Sequence, residues 1–146
     1  YMAGGAFTMF TSPWVGKLAD KHGKLQIFTI FMLLNLIPIG IITHLGVTPV
    51  ALVLVVTTFF FVTSNGRYVP AAALVTGTAQ PENRGSFLSF NSAVQQLAAG
   101  FASLVAGFMI GENELGQLTN FNYVGYMAIL FSLICIPLAW RIKVVS

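Results

Sequence analysis

The 146 residues are 56% hydrophobic and only 8% charged, with a formal net charge of +3; a soluble domain is about one-quarter charged, so this composition excludes one. Between Lys24 and Arg67, Arg84 and Glu112, and Glu114 and Arg141 there is no charged side chain at all, and a transmembrane helix needs roughly 20 apolar residues. The class is therefore all-α, a polytopic transmembrane helix bundle of five spans; a β-barrel would show short alternating strands instead.

Span one covers residues 1–16, YMAGGAFTMFTSPWVG. The chain enters it with no basic leader and no cleavage-type ending, and the expectation is that the sequence is the C-terminal piece of a longer protein. The connection that follows, GKLADKHGKLQ at 16–26, holds Lys17, Asp20, Lys21 and Lys24. Gly16 and Gly23 permit a tight reversal there. Asp20 comes directly after the C-terminal end of a helix, where negative charge is unfavourable. It should be compensated by Lys17, Lys21 or Arg84, or by the N-terminus of another helix.

Span two, 25–45, carries Asn35, whose default role is packing, and Pro38 with Gly40, which predict a kink. HLGVTP at 44–49 predicts the turn out of it, with His44 as an interfacial polar residue. Span three, 50–78, is the longest, so it should tilt or overshoot the hydrocarbon; Pro70 predicts a second kink. Arg67 falls a few residues to the cytoplasmic side of its centre. A guanidinium there costs at least about 2.5–3.5 kcal/mol. It must face a cavity or a partner, or snorkel to the interface on its long stem. Thr63 and Ser64 share its face, while Asn65 points elsewhere.

Span four, 86–110, divides into two faces at about 100° per residue. Phe87, Phe90, Val94, Leu97, Phe101, Leu104, Val105 and Phe108 form one; Asn91, Ser92, Gln95, Gln96, Ala99, Ser103 and Gly107 belong to the other. The bulky face belongs to lipid and the small, polar face to protein or water. At 1.5 Å per residue the amides lie roughly 15 Å in, near the midplane. Asn91, Ser92, Gln95 and Gln96 either hydrogen-bond to neighbouring helices or, with Arg67, line a polar cavity that touches a solute. Span five, 121–140, holds the lone Cys135. One cysteine excludes an internal disulfide framework, and it reads as an inert thiol.

The connections alternate in charge. Lys17, Lys21 and Lys24 fill the first, the second has none, Arg84 sits beside Glu82 in the third, GENELGQLTNFN is acidic, and Arg141 and Lys143 form the tail. This is the positive-inside pattern, which puts the first connection, the third and the C-terminus in the cytoplasm. Basic residues spread over three connections do not suggest nucleic acid as a partner.

GKLADKHGK resembles the loop signature of the major facilitator superfamily, G-x-L-x-D-[RK]-x-G-[RK]-[RK]. Gly16, Leu18, Asp20, Lys21, Gly23 and Lys24 match, and Leu25 replaces the final basic residue. Residues 66–96 also look like the penultimate region of bacterial members of the arabinose-efflux-permease type. The resemblance implies a partial major facilitator fold, helices eight to twelve of twelve, with an N-terminal half as partner and substrate at the midplane. It implies that Gly16, Asp20, Lys21, Gly23, Lys24 and Arg84 latch the cytoplasmic face between the halves, and that access alternates by rocking. Arg67 is similar to the intramembrane Arg of a further motif, R-x-x-x-G, but Ala71 replaces the Gly and the motif belongs to the first half, so proton coupling is not carried over to Arg67.

The function expected is secondary active transport of a small organic solute, drug-like or sugar-like, across a bacterial inner membrane. Proton-coupled efflux by antiport is implied by the resemblance alone. No acid lies in the central part of any span, so a proton-carrying carboxylate would belong to the other half. The alternative is a receptor or assembly subunit with a transporter-like fold that moves nothing. No cofactor or metal is expected, and no His/Asp/Glu cluster or Ser–His pair suggests an enzyme. The partners are the solute, membrane lipid and the N-terminal half.

Overall fold

The computed structural model describes residues 2–44, 49–112 and 118–141. The five spans appear as helices: α1 Met2–His22, α2 Lys24–Thr43, α3 Val50–Thr78, α4 Arg84–Met109 and α5 Phe121–Trp140. A short 3₁₀ turn, Pro81–Asn83, leads into α4. Outside the helices, β1 Gly111–Glu112 pairs antiparallel with β2 Leu118–Thr119, a minimal hairpin before α5. The turn centred on Gly46, the acid Glu114 and the tail residue Lys143 lie outside the described residues.

α2, α3, α5 and the Pro81–Met109 segment are long and apolar enough to cross a membrane. α1 is not in that set: Gly4, Gly5, Thr8, Thr11, Ser12 and Pro13 dilute its apolar residues, and Lys17, Asp20 and Lys21 follow. It also runs six residues past the expected end of span one, absorbing most of the connection into helix. Exposed Lys and Asp side chains do not break a helix, so the reversal falls on a single residue. Gly23 takes φ +97°, a conformation open mainly to glycine, and α2 begins at the next residue.

α2 is the central element. Its longest packing partner is α3, α5 lies along its other side, and α1 packs on both α3 and α2. Val15 and Ala19 of α1 meet Ile27 and Phe31 of α2 in one core cluster, flanked by Val69. Phe28 and Met32 meet Ala139 of α5 in a second, flanked by Ala71 and Ile136. Gly66 and Gly125 allow close approaches in the bundle: a Cβ on the first would collide with the Phe31 ring, and one on the second with the Thr43 side chain. Pro38 and Pro70 both sit fully buried inside continuous helices.

α5 is tied to α2 near both ends. Trp140 Nε1 donates to Thr29 Oγ1 at 3.3 Å. At the opposite end, the His44 ring lies edge-on to Tyr126 with its Nε2 3.1 Å from the phenol oxygen. His44 Nδ1 faces the Gly40 carbonyl at 2.9 Å; an Nδ1–H donor there leaves Nε2 to accept from Tyr126.

α4 stands differently. Its neighbour is α5, and none of its residues is buried. The strip it turns to α5 is apolar (Ala98, Phe101, Ala102, Val105, Ala106 and Met109) and encloses a cleft of about 540 Å³ with Val124, Met127 and Phe131; Phe101 and Val105, expected on the lipid side, thus border α5. Phe90, Leu97 and Phe108 project outward at 69%, 75% and 89% exposure, the surface expected of a helix bathed in acyl chains.

Candidate functional site

The α2–α3 hairpin sets the register of a polar layer near mid-depth. A 20-residue helix such as α2 spans about 30 Å, the thickness of the hydrocarbon core, and Asn35 lies close to its middle. The two helices run antiparallel, so Phe31 meets Gly66, Met32 meets Arg67 and Asn35 meets Thr63 and Ser64.

Asn35 is fully buried. Its Nδ2 donates to Thr63 Oγ1 at 2.8 Å and Ser64 Oγ at 3.0 Å, and reaches the Phe60 carbonyl at 3.5 Å. Thr63 in turn donates back to Phe59 O. The Asn35 carbonyl oxygen, Oδ1, has no hydrogen-bond partner. Nearby, Asn65 Nδ2 donates to Ser12 Oγ at 2.8 Å and joins α3 to α1.

Arg67 lies one turn beyond Thr63, half-buried, with Nη1 donating to Met32 Sδ at 3.3 Å. A thioether is a weak acceptor, and the guanidinium has five N–H donors. Among the described residues no carboxylate comes within ion-pair distance of it. It opens instead onto two cavities. One, about 520 Å³, lies between α2, α3 and α5 and includes Met32, Thr43, Phe60, Ser132 and Cys135. The other, about 630 Å³, reaches toward α1 and includes Thr8, Ser64, Asn65 and Tyr68.

The α4 amides are elsewhere. Asn91 is half-buried, while Ser92, Gln95 and Gln96 are exposed, and none of the four lines either cavity that Arg67 lines. On the helical wheel Ser92 and Gln96 lie more than about 90° from the strip that meets α5. Asn91 and Gln95 lie at the angles of that strip, a turn or two before the residues that meet α5.

At the α1–α2 reversal, Asp20, Gly23 and Lys24 share a depression of about 630 Å³ with His22, Leu74 and Trp140. Gly16 lies one turn back along α1, half-buried; Lys21 and Arg84 are exposed and outside that depression. Among the described residues Asp20 forms no ion pair with Lys17, Lys21 or Arg84. No group of three or more His, Cys, Asp or Glu side chains suited to a metal ion occurs among the described residues.

The sequence reading missed the partners of Asn35, the Asn65–Ser12 bond and the inward-facing Ser132. A lone amide at mid-span, with Thr and Ser at matching depth in the next helix, is a signal for the first. The other two depend on which faces α1 and α5 present, which no residue pattern announces.

A family model described as Major Facilitator Superfamily matches residues 1–145. No curated protein and no solved structure matches the chain.

Proposed function

The chain belongs to the major facilitator superfamily and is an integral membrane transporter of that type; we propose that it moves a small organic solute by alternating access, in proton-coupled efflux from a bacterial cell. The observation that carries this reading is the polar layer in an otherwise apolar bundle. Arg67 is held at mid-depth by the Met32 sulfur and opens onto two cavities. A cation retained in the hydrocarbon zone marks a solute or ion path by default.

In this reading the five helices are the eighth to twelfth of twelve, with the C-terminus cytoplasmic. The polar strip of α4, half-buried Asn91 with exposed Ser92, Gln95 and Gln96, faces the N-terminal half and the solute between the halves. Asp20, with Gly16, Lys21, Gly23, Lys24 and Arg84, forms the cytoplasmic latch, its acid finding a partner on the other half. The coupling carboxylate resides there too, since no acid lies in the central part of any described helix.

The test is counterflow in proteoliposomes of the full-length protein. Arg67→Leu and Gln95→Leu should each lower flux by roughly tenfold or more, as expected when a charge-assisted or buried hydrogen bond is lost, with reconstituted amounts unchanged. Wild-type rates in both variants would leave these residues structural, and no flux of any solute would turn the assignment toward a receptor or assembly subunit.

A further inference from the structure

We infer that the cavity between α2, α3 and α5 binds an amphiphilic organic anion, its acidic head on Arg67 and Ser132 and its apolar body along the rest of the wall. The inference rests on the transporter reading for the ligand's route and on the cavity alone for the ligand's chemistry. At about 520 Å³ the space falls within the roughly 300–1,000 Å³ of small-molecule sites, which are mostly apolar with a few placed polar groups. Ile39, Phe60, Val124 and Phe131 make this wall apolar.

Two donors interrupt that wall. Arg67 spends one N–H on a sulfur and meets no carboxylate among the described residues. Ser132 is only 7% exposed, yet its hydroxyl forms no hydrogen bond among the described residues. Thr29, Thr43, Thr57, Thr63 and Thr76 each turn back onto the carbonyl four residues earlier, a bond that the buried Ser132 does not make. Ser132 stands on the stripe of α5 that continues to Cys135 and lines the same cavity as Arg67.

An anionic oxygen is the group these donors lack. A planar guanidinium binds carboxylate or sulfonate through paired N–H bonds, shorter and stronger than neutral ones. A cation beside Arg67 would be repelled in a medium of low dielectric. A neutral polar solute would leave the charge uncompensated, and a fully hydrophilic anion would leave the apolar wall unmatched.

The experiment uses the full-length protein in lipid nanodiscs and three probes of one shape: naphthalenesulfonate, naphthalenesulfonamide and naphthylmethylammonium. The sulfonate stays charged and cannot enter as a neutral acid. Equilibrium binding should be saturable for the sulfonate, weaker by roughly tenfold or more for the sulfonamide, and undetectable for the ammonium. Arg67→Gln should erase the preference for the sulfonate while keeping sulfonamide binding, Arg67→Lys should retain part of it, and Ser132→Ala should weaken the sulfonate a few-fold. Equal binding of sulfonate and sulfonamide, no saturable sulfonate binding, or an intact preference in Arg67→Gln would overturn the inference. The three-probe comparison in the unmodified protein decides the matter if Arg67→Gln does not fold. Counterflow separates the two readings. An anion-selective site with no flux of any probe removes the transport assignment alone, whereas flux without anion selectivity removes this inference alone.

Discussion

Asn35 shows how much one side chain can fix in a helix hairpin. In lipid, apolar contact does not specify which face of α2 meets α3, because acyl chains are as apolar as the side chains. An amide with three acceptors on one neighbour does specify it. Replacing it by Ala leaves the Thr63 and Ser64 oxygens without their donor, a loss of about 0.6–1.7 kcal/mol for interhelical bonds in membranes, and opens a void as well. Asn35→Leu fills the void and removes the orphaned Oδ1. Thermal unfolding in detergent should therefore rank wild type first, Asn35→Leu next and Asn35→Ala last; equal loss in both variants would mean that the hydrogen bonds, not the packing, dominate. Gly66→Ala should be worse than an exposed Gly-to-Ala change, by about 1–3 kcal/mol of overpacking, because its Cβ would enter the Phe31 ring. Adding Phe31→Leu should recover part of that loss, and no recovery would show that the clash is not the cause. Asn35 was legible in the sequence as a lone amide at mid-span. Its partners were not, since they follow from hairpin register, and register depends on the turn between the helices.

At the level of elements, lipid makes most of the structure readable in advance. Backbone groups in hydrocarbon must be satisfied within the segment, so each long charge-free stretch became a helix. The same reasoning placed the end of α1 too early. Lys17, Asp20 and Lys21 were read as a loop, but charged side chains at the interface are compatible with helix, and only Gly23 ends it. Its φ of +97° makes Gly23→Ala strained by about 1–3 kcal/mol. Gly40 is helical with open space around it, so Gly40→Ala should not lower stability. A thermal midpoint that falls equally in both would refute the reversal argument. α4 offers the other element-scale prediction. The 3.6-residue period separates its amides from its bulky side chains, but it does not show that Phe101 and Val105 border α5. In the full-length protein in liposomes, Phe108→Cys should resist a hydrophilic maleimide, because thiols react as thiolates and ionise poorly in lipid. Ser92→Cys should react, and a solute that fills the central path should slow the reaction. A lipid-like Ser92 would remove the amide strip from the site.

At the scale of the whole molecule, the described helices form two unlike parts. α1, α2, α3 and α5 share a core near the α1–α2 reversal, while α4 has no buried residue. Transport by rocking requires surfaces that separate and re-form, and such surfaces cannot be held by a continuous apolar core. The latch belongs to this scale. Asp20 is exposed on the last turn of α1, where the helix dipole disfavours it, and it forms no ion pair among the described residues. In the proposed latch, the compensation for this acid lies in another conformation or on the N-terminal half. If that compensation closes the cytoplasmic face, Asp20→Asn removes charge without changing shape and destabilises only the state in which the latch is shut. Equilibrium solute binding should then stay close to wild type while counterflow slows, and distance distributions between spin labels at the cytoplasmic ends of the two halves should shift toward the open form. Wild-type counterflow with unchanged distances would instead assign Asp20 to local folding of the α1–α2 reversal, beside Gly23 and Lys24, with no part in the cycle.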